Sequence, residues 1–166
     1  MKKKIGKYTL EGYEVKGFED TVKEIIRFSK LYFKDLLEPN KQNKDIKLMS
    51  NRQFFEFIKS LPYVKDFKEF LNRPSISLLM AENNHPFDCD DRTILSLAFF
   101  RLKNYLLGYE RFKTRVLVTG RYNKPHHVYI EFKDGAGNWT PFDPTYPRNI
   151  YGEHLFEPNF KKVFEA

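Results

Sequence analysis

Cys89, His127 and Asp143 are the residues of this chain whose types, order and settings can do covalent chemistry. Cys89 is the only cysteine and stands in FDCDDRT, at the start of a long apolar run. A thiol attacks as the thiolate, and the unpaired N–H groups and dipole at a helix N-terminus favour that anion. The same N–H groups can hold an oxyanion formed on a bound acyl group. His127 stands in PHHVYIEF, where alternation puts His127, Tyr129 and Glu131 on one face of a strand. Val128, Ile130 and Phe132 make a wholly apolar opposite face, suited to the core. Asp143 stands in WTPFDPTYP, on the adjacent strand across a hairpin, and Pro144 holds its backbone extended. In that order the three supply a nucleophile, a base and a group that orients the base.

Asp88, Asp90 and Asp91 work against the thiolate, because like charge raises a thiol's pKa. They need their own account. Asp88 as N-cap with Asp91 at the third helical position comes close to a capping box. The alternative is a cation site, since Ca²⁺ takes carboxylate oxygens. Capping is the simpler reading. A lone cysteine is most often an inert buried thiol, so it is His127 and Asp143 that make Cys89 a candidate nucleophile. His126 points to the face opposite His127 and reads as structural or edge-exposed. A transition-metal cluster of His85 with Asp88, Cys89, Asp90 and Asp91 lacks the paired spacing of zinc sites. Tyr129 and Trp139 are the candidate substrate-binding residues, Trp139 with the simpler role of covering the hairpin. Asn83, Asn84 and Gln53 are candidates for a second oxyanion donor.

These motifs, FDCDDRTILSLAFFRL, HHVYIEF and WTPFDPTYP, together resemble the transglutaminase-like superfamily. Members carry an acid-flanked cysteine opening a core helix, a histidine beginning a strand of the form H-V-x-[VI]-E, and an aspartate in a D-P-T segment. The resemblance spans residues 87–147, with Phe87 where many members have glycine, and does not reach residues 1–85. It implies a papain-like α+β fold and a Cys89–His127–Asp143 triad. The DCDD form is similar to bacterial and phage members, including cysteine proteinases whose acids beside the cysteine bind calcium.

The elements that must position these residues are legible around them. From Ile94 to Leu107, 10 of 14 residues are apolar, which predicts a helix at the heart of the domain, ended by Gly108. FKTRVLVTGRY and HHVYIEF read as strands, KDGAGN as a hairpin turn, and WTPFDPTYP as a short return strand. Before Cys89 the spacing predicts a helix from Gly17 to Pro39 and another in SNRQFFEFIKSLP, capped by Ser50 or Asn51. YVKDFKEFLNRP reads as a further short helix, and residues 74–86 as loop or short helix. Helices first and an antiparallel sheet second make an α+β domain. The chain divides into a helical part at 1–85, the motif region at 86–147 and a tail at 148–166, within one domain.

Composition narrows the function classes. The 166 residues are 41% hydrophobic and 17% aromatic, enough for a packed core. One cysteine forms no internal disulfide, MKKK is followed by no apolar signal region, and no stretch is long enough for a bilayer. A soluble, cytoplasmic protein without membrane partners is expected. The net charge of +7 is concentrated in residues 1–80, with 17 Lys/Arg against 11 Asp/Glu. Those lysines are interleaved with acids and accompany no nucleic-acid motif, so they read as a solvated surface. The expected function is thiol-dependent acyl transfer on a protein or peptide, with hydrolysis preferred over cross-linking and no cofactor beyond the calcium alternative. The other class is a binding or structural protein, phage-associated for instance, that keeps the fold without the chemistry.

Overall fold

The computed structural model describes residues 16–40, 44–66, 70–133 and 137–166, with the backbone of two short strands at 2–5 and 8–11. The architecture is α+β, as expected. Strands β1 (Lys2–Ile5) and β2 (Tyr8–Glu11) pair antiparallel with each other. Helices α1 (Phe18–Tyr32), α2 (Asn51–Ser60), α3 (Pro74–Glu82) and α4 (Cys89–Leu107) follow. A 3₁₀ stretch at Phe33–Leu37 extends α1 toward Pro39, and a 3₁₀ turn at Ile46–Leu48 precedes α2. The chain then builds β3 (Lys113–Gly120), β4 (His127–Lys133), β5 (Thr140–Phe142) and β6 (Phe160–Glu165). These four form one antiparallel sheet in the order β5-β4-β3-β6.

Three helix boundaries have a clear local cause. Ser50 caps α2 in a full capping box with Gln53, the reciprocal pairing that satisfies two orphan N–H donors. Pro74 opens α3, where its missing N–H costs nothing. Gly108 closes α4 in the left-handed conformation at φ 76°, which glycine adopts without strain. Between these ends α4 is buried almost all round from Asp90 to Phe100. It lies on the apolar face of β4, formed by Val128, Ile130 and Phe132. Phe54 of α2 stacks on Phe99 at 4.1 Å, and Phe100 stacks on Phe132 at 4.6 Å. Phe142 of β5 meets Phe55 and Phe100 edge-on. Truncating a phenylalanine in such a cluster costs about 3–5 kcal/mol.

Three expectations fail or shift. The helix expected in YVKDFKEFLNRP is absent among its described residues, where Val64 instead pairs with Phe87 through two backbone hydrogen bonds. Asp66 accepts the N–H of Phe70 at 3.3 Å, and Pro62 and Pro74 bracket the segment. The tail at 148–166 contains an unforeseen strand, β6. Phe160 and Phe164 touch the core but lysines fill its centre, so the alternation is weak. Phe160 meets Phe18 edge-on at 5.9 Å, and Lys162 pairs with Glu19, so the tail fastens α1 to the sheet. The part at 1–85 includes strands β1 and β2 beside its helices. The tip of the hairpin turn KDGAGN, at 134–136, lies outside the described residues. No described helix is long and apolar enough to cross a membrane.

Candidate active site

Cys89 is the first residue of α4, held from both sides. Ahead of it, the Val64–Phe87 bridge pins the entering chain, and Phe87 is fully buried. Asp88 is the N-cap: one carboxylate oxygen accepts the N–H of Asp90 at 3.2 Å and the other that of Asp66 at 3.4 Å. Behind it, the Thr93 hydroxyl donates to the Cys89 carbonyl at 2.7 Å and lies 3.1 Å from the carbonyl of Val128, joining the first turn to β4. The Cys89 N–H sits at the helix start, where no intrahelical acceptor exists.

The acids beside the cysteine do three different things. Asp88 caps, as expected. Asp90 accepts a hydrogen bond from the Cys89 thiol at 3.7 Å. Asp91 does not take the third place of a capping box; it is 1% exposed, turned to α3, and accepts the Ser77 hydroxyl at 2.8 Å. Burial in that setting pushes Asp91 up to about 8. A cation site of Asp88, Asp90 and Asp91 is therefore not assembled. The donors that converge within 4.8 Å of one another are Asp88, Cys89 and Asp90. Two carboxylates around a soft thiol fall well short of the roughly six to eight oxygens calcium prefers, so this set fits calcium poorly. Burial first, then Asp90 and Asp88, hold the Cys89 thiol well above its ordinary pKa, and a backbone hydrogen bond from Val128 pulls the other way. Burial and the two acids thus favour the thiol over the thiolate.

His127 and Asp143 are brought together. His127 Nε2 and Asp143 Oδ2 are 2.8 Å apart. Asp143 lies one residue past the end of β5 rather than within it. Its other oxygen accepts the N–H of Thr145 at 3.2 Å, and Asn149 donates to its carbonyl at 2.9 Å. This turn at the strand end aims the carboxylate. The second ring nitrogen of His127, Nδ1, is buried and has no hydrogen-bond partner. The ring is gripped between Tyr129, stacked at 5.6 Å, and Tyr146, at 5.3 Å. Cys89 and His127 line one cleft of about 430 Å³, together with Tyr63, Tyr146, Asp88 and Lys65.

The other sequence candidates fall as follows. Tyr129 does not line that cleft; it backs the imidazole, and its hydroxyl is 3.4 Å from His154 Nδ1. Trp139 is also outside it, covering the hairpin with Arg115 at 4.1 Å and Lys133 at 4.9 Å from its ring. His126 is exposed, beside β4 rather than in it, and borders the cleft. Gln53 is spent on the capping box of α2, and Asn83 donates to Leu79 at the end of α3. Neither they nor Asn84 nor His85 line the cleft.

Sequence reasoning passed over Arg92, although it stands inside FDCDDRT. Its guanidinium is 1% exposed and donates to the carbonyls of Ile58, Leu61, Pro62 and Pro144, at 2.6 to 3.1 Å. It rests 4.6 Å over the Phe87 ring. One side chain thus ties the end of α2 and the turn after Asp143 to the helix that carries Cys89. Burial lowers its pKa to about 10, which still leaves it charged at neutral pH. A basic residue in the first turn of a helix, just ahead of so apolar a run, was the available signal. Tyr63 and Tyr146, 5.8 Å apart at the cleft wall, gave none beyond their place near the motifs.

Comparison with protein-family models, curated proteins and solved structures finds no match to this chain.

Proposed function

We propose that the protein is a thiol-dependent acyl-transfer enzyme of the transglutaminase-like kind, acting on a carboxamide or peptide bond, with hydrolysis as the preferred outcome. The observation that carries this reading is the imidazole of His127. Asp143 holds Nε2, Nδ1 is buried without a partner, and the ring lines the cleft that contains the chain's only thiol.

In the proposed cycle His127 Nδ1 takes the thiol proton as Cys89 Sγ attacks the carbonyl carbon. The tetrahedral oxyanion is met by the Cys89 N–H at the start of α4, since the Asp90 N–H is held by the Asp88 cap. The C–N bond breaks, His127 gives its proton to the departing amine, and a thioester remains on Cys89. Water, deprotonated by the same nitrogen, attacks the thioester; the acid leaves and the thiol is restored. Asp143 fixes the tautomer that leaves Nδ1 as the acceptor. With the thiol pKa raised, proton transfer to His127 accompanies the attack on the carbonyl and does not precede it as a standing ion pair. No step passes through a metal.

The raised thiol pKa also favours the second reading, a binding or structural protein that keeps the fold with an inert cysteine. Alkylation by iodoacetamide separates the two. The enzyme reading expects native Cys89 to react faster at neutral pH than Cys89 in native His127→Ala, because the imidazole accepts the thiol proton, and expects the two denatured chains to react alike. A native rate that His127→Ala leaves unchanged would sink it.

A further inference from the structure

Beside the cleft that holds Cys89 lies a second hollow of about 360 Å³, and the two share His126, His127 and Tyr146 as a common wall. The second hollow is lined by Arg121, Arg148, Tyr122 and Phe156, and no carboxylate lines it. Both arginines are exposed, and neither has a carboxylate partner in an ion pair among the described residues. Each lies by an aromatic ring, Arg148 at 5.8 Å from Tyr146 and Arg121 at 5.5 Å from Phe156. Such contacts orient a guanidinium without neutralising it.

The loop that presents Arg121 is built tightly. Tyr122 and Asn123 both adopt the left-handed conformation, at φ 55° and 56°. Lys124 turns back to donate its N–H to the Arg121 carbonyl at 3.1 Å. A Cβ at Gly120 would fall 1.7 Å from the Lys124 carbonyl oxygen, so only glycine lets the loop close this far. The Asn159 side chain accepts the N–H of Asn123 at 3.4 Å. Strain of this sort in a surface loop is tolerated where the surroundings fix it, and here it sets an arginine beside the candidate base. The rest of the Cys89 cleft is different in kind, with Phe18, Val22, Lys65 and Asp66 mixing apolar and opposite charges.

The geometry points to a carboxylate-binding subsite: Arg121 and Arg148 receive a carboxylate of the substrate next to the bond that Cys89 attacks. This deepens the proposed function and rests on it. A guanidinium pair without carboxylate neighbours matches a carboxylate by charge-assisted hydrogen bonds, and its one-sided placement makes the preference one of position as well as charge. The carboxylate has two sources, an Asp or Glu side chain or the end of a chain.

Three haloacetyl probes test this: iodoacetyl-Gly-Asp amide, iodoacetyl-Gly-Asn amide, and iodoacetyl-Gly-Asn with a free C-terminus. The Asp probe is expected to alkylate Cys89 about five- to tenfold faster than the Asn amide, the worth of one charge-assisted pair. That ratio is expected to fall to near one in Arg121→Gln/Arg148→Gln and to shrink with salt. Faster labelling by either carboxylate probe, lost in the double variant, supports the subsite and says which source it reads. Equal rates for all three probes overturn it, as does a ratio that the double variant leaves intact. Failure of the enzyme reading looks different: His127→Ala then leaves iodoacetamide labelling of native Cys89 unchanged, whatever the probes' ratio.

Discussion

Two histidine–carboxylate pairs sit on the same face of β4, and only one of them is equipped for chemistry. In the first, His127 Nε2 meets Asp143 at 2.8 Å; in the second, His154 Nε2 meets Glu131 at 3.1 Å. The pairs invert their burial. His127 is 9% exposed and its carboxylate 19%, whereas Glu131 is 2% exposed and His154 39%. Glu131 is also claimed by Arg115 at 2.6 Å, and His154 Nδ1 by the Tyr129 hydroxyl at 3.4 Å. Both nitrogens of His154 are thus engaged, while His127 keeps one buried nitrogen unpartnered beside a thiol cleft. A His–acid pair is common structural currency; what distinguishes a base is the nitrogen left over.

The sharpest way to break the comparison is to remove each imidazole. His127→Ala is expected to slow Cys89-dependent turnover by about 10³-fold, the ordinary worth of a positioned general base. His154→Ala is expected to change it by less than about twofold, since its ring fastens the surface of the sheet. Steady-state rates of amide or activated-ester hydrolysis by the two variants decide this. Comparable losses in both would mean that the two pairs act as one network.

Exchanging the carboxylates should divide the pairs by kind of effect. Glu131→Gln leaves the Arg115 guanidinium beside a buried neutral group and is expected to cost about 3 kcal/mol in urea unfolding, with little change in the rate per folded molecule. Asp143→Asn is expected to do the reverse. Its oxygen still accepts the N–H of Thr145, but the amide can donate to Nε2 and favour the wrong tautomer, lowering the rate about 10²-fold. A stability loss in Asp143→Asn as large as that of Glu131→Gln would erase the distinction.

A third buried acid extends the comparison to pH. Asp91 pairs with neither histidine nor arginine but accepts the Ser77 hydroxyl, and its pKa is raised from 3.8 to about 8. The native state therefore binds the proton more tightly than the unfolded chain. Its contribution is complete below about pH 4 and is lost as pH rises through about 8. Asp91→Asn keeps an oxygen for Ser77 without a charge to bury. It is expected to flatten the fall in stability between pH 4 and 8 and to gain about 2 kcal/mol at pH 8, read by denaturant midpoints across that range. An unchanged slope would place the charge of Asp91 in a better-solvated setting than its burial implies.

How far the sequence led depends on the range of the interaction. Periodicity and caps are local, so α4 with its Asp88 cap and Gly108 stop, α2 with Ser50, and the two faces of β4 were all readable. The order of Cys89, His127 and Asp143 was readable too, because His127 and Asp143 begin and follow neighbouring strands of one hairpin. The roles of the acids were not. Asp90 and Asp91 are adjacent in sequence, but a helical step of about 100° sends one to the thiol and the other to Ser77 on α3. Arg92 escaped for the same reason, since its partners Ile58, Leu61, Pro62 and Pro144 come from two distant segments. Strand β6 was hidden by composition, as two aromatic contacts among lysines leave almost no alternation to detect.

The smallest expected effect comes from the residue that touches both histidines. Tyr129 stacks on His127 at 5.6 Å and places its hydroxyl 3.4 Å from His154 Nδ1. At that length the hydrogen bond is weak, and the ring alone supplies the surface against which the imidazole lies. Tyr129→Phe keeps the ring and removes the bridge. It is expected to change stability by less than about 1 kcal/mol and hydrolysis by less than about twofold. Tyr129→Ala removes the stacked face and is expected to lower the rate more than Tyr129→Phe does at equal occupancy of the folded state. A rate loss in Tyr129→Phe as large as in Tyr129→Ala would mean that the hydroxyl bridge, not the packed ring, holds His127, and that the outer pair helps to set the inner one.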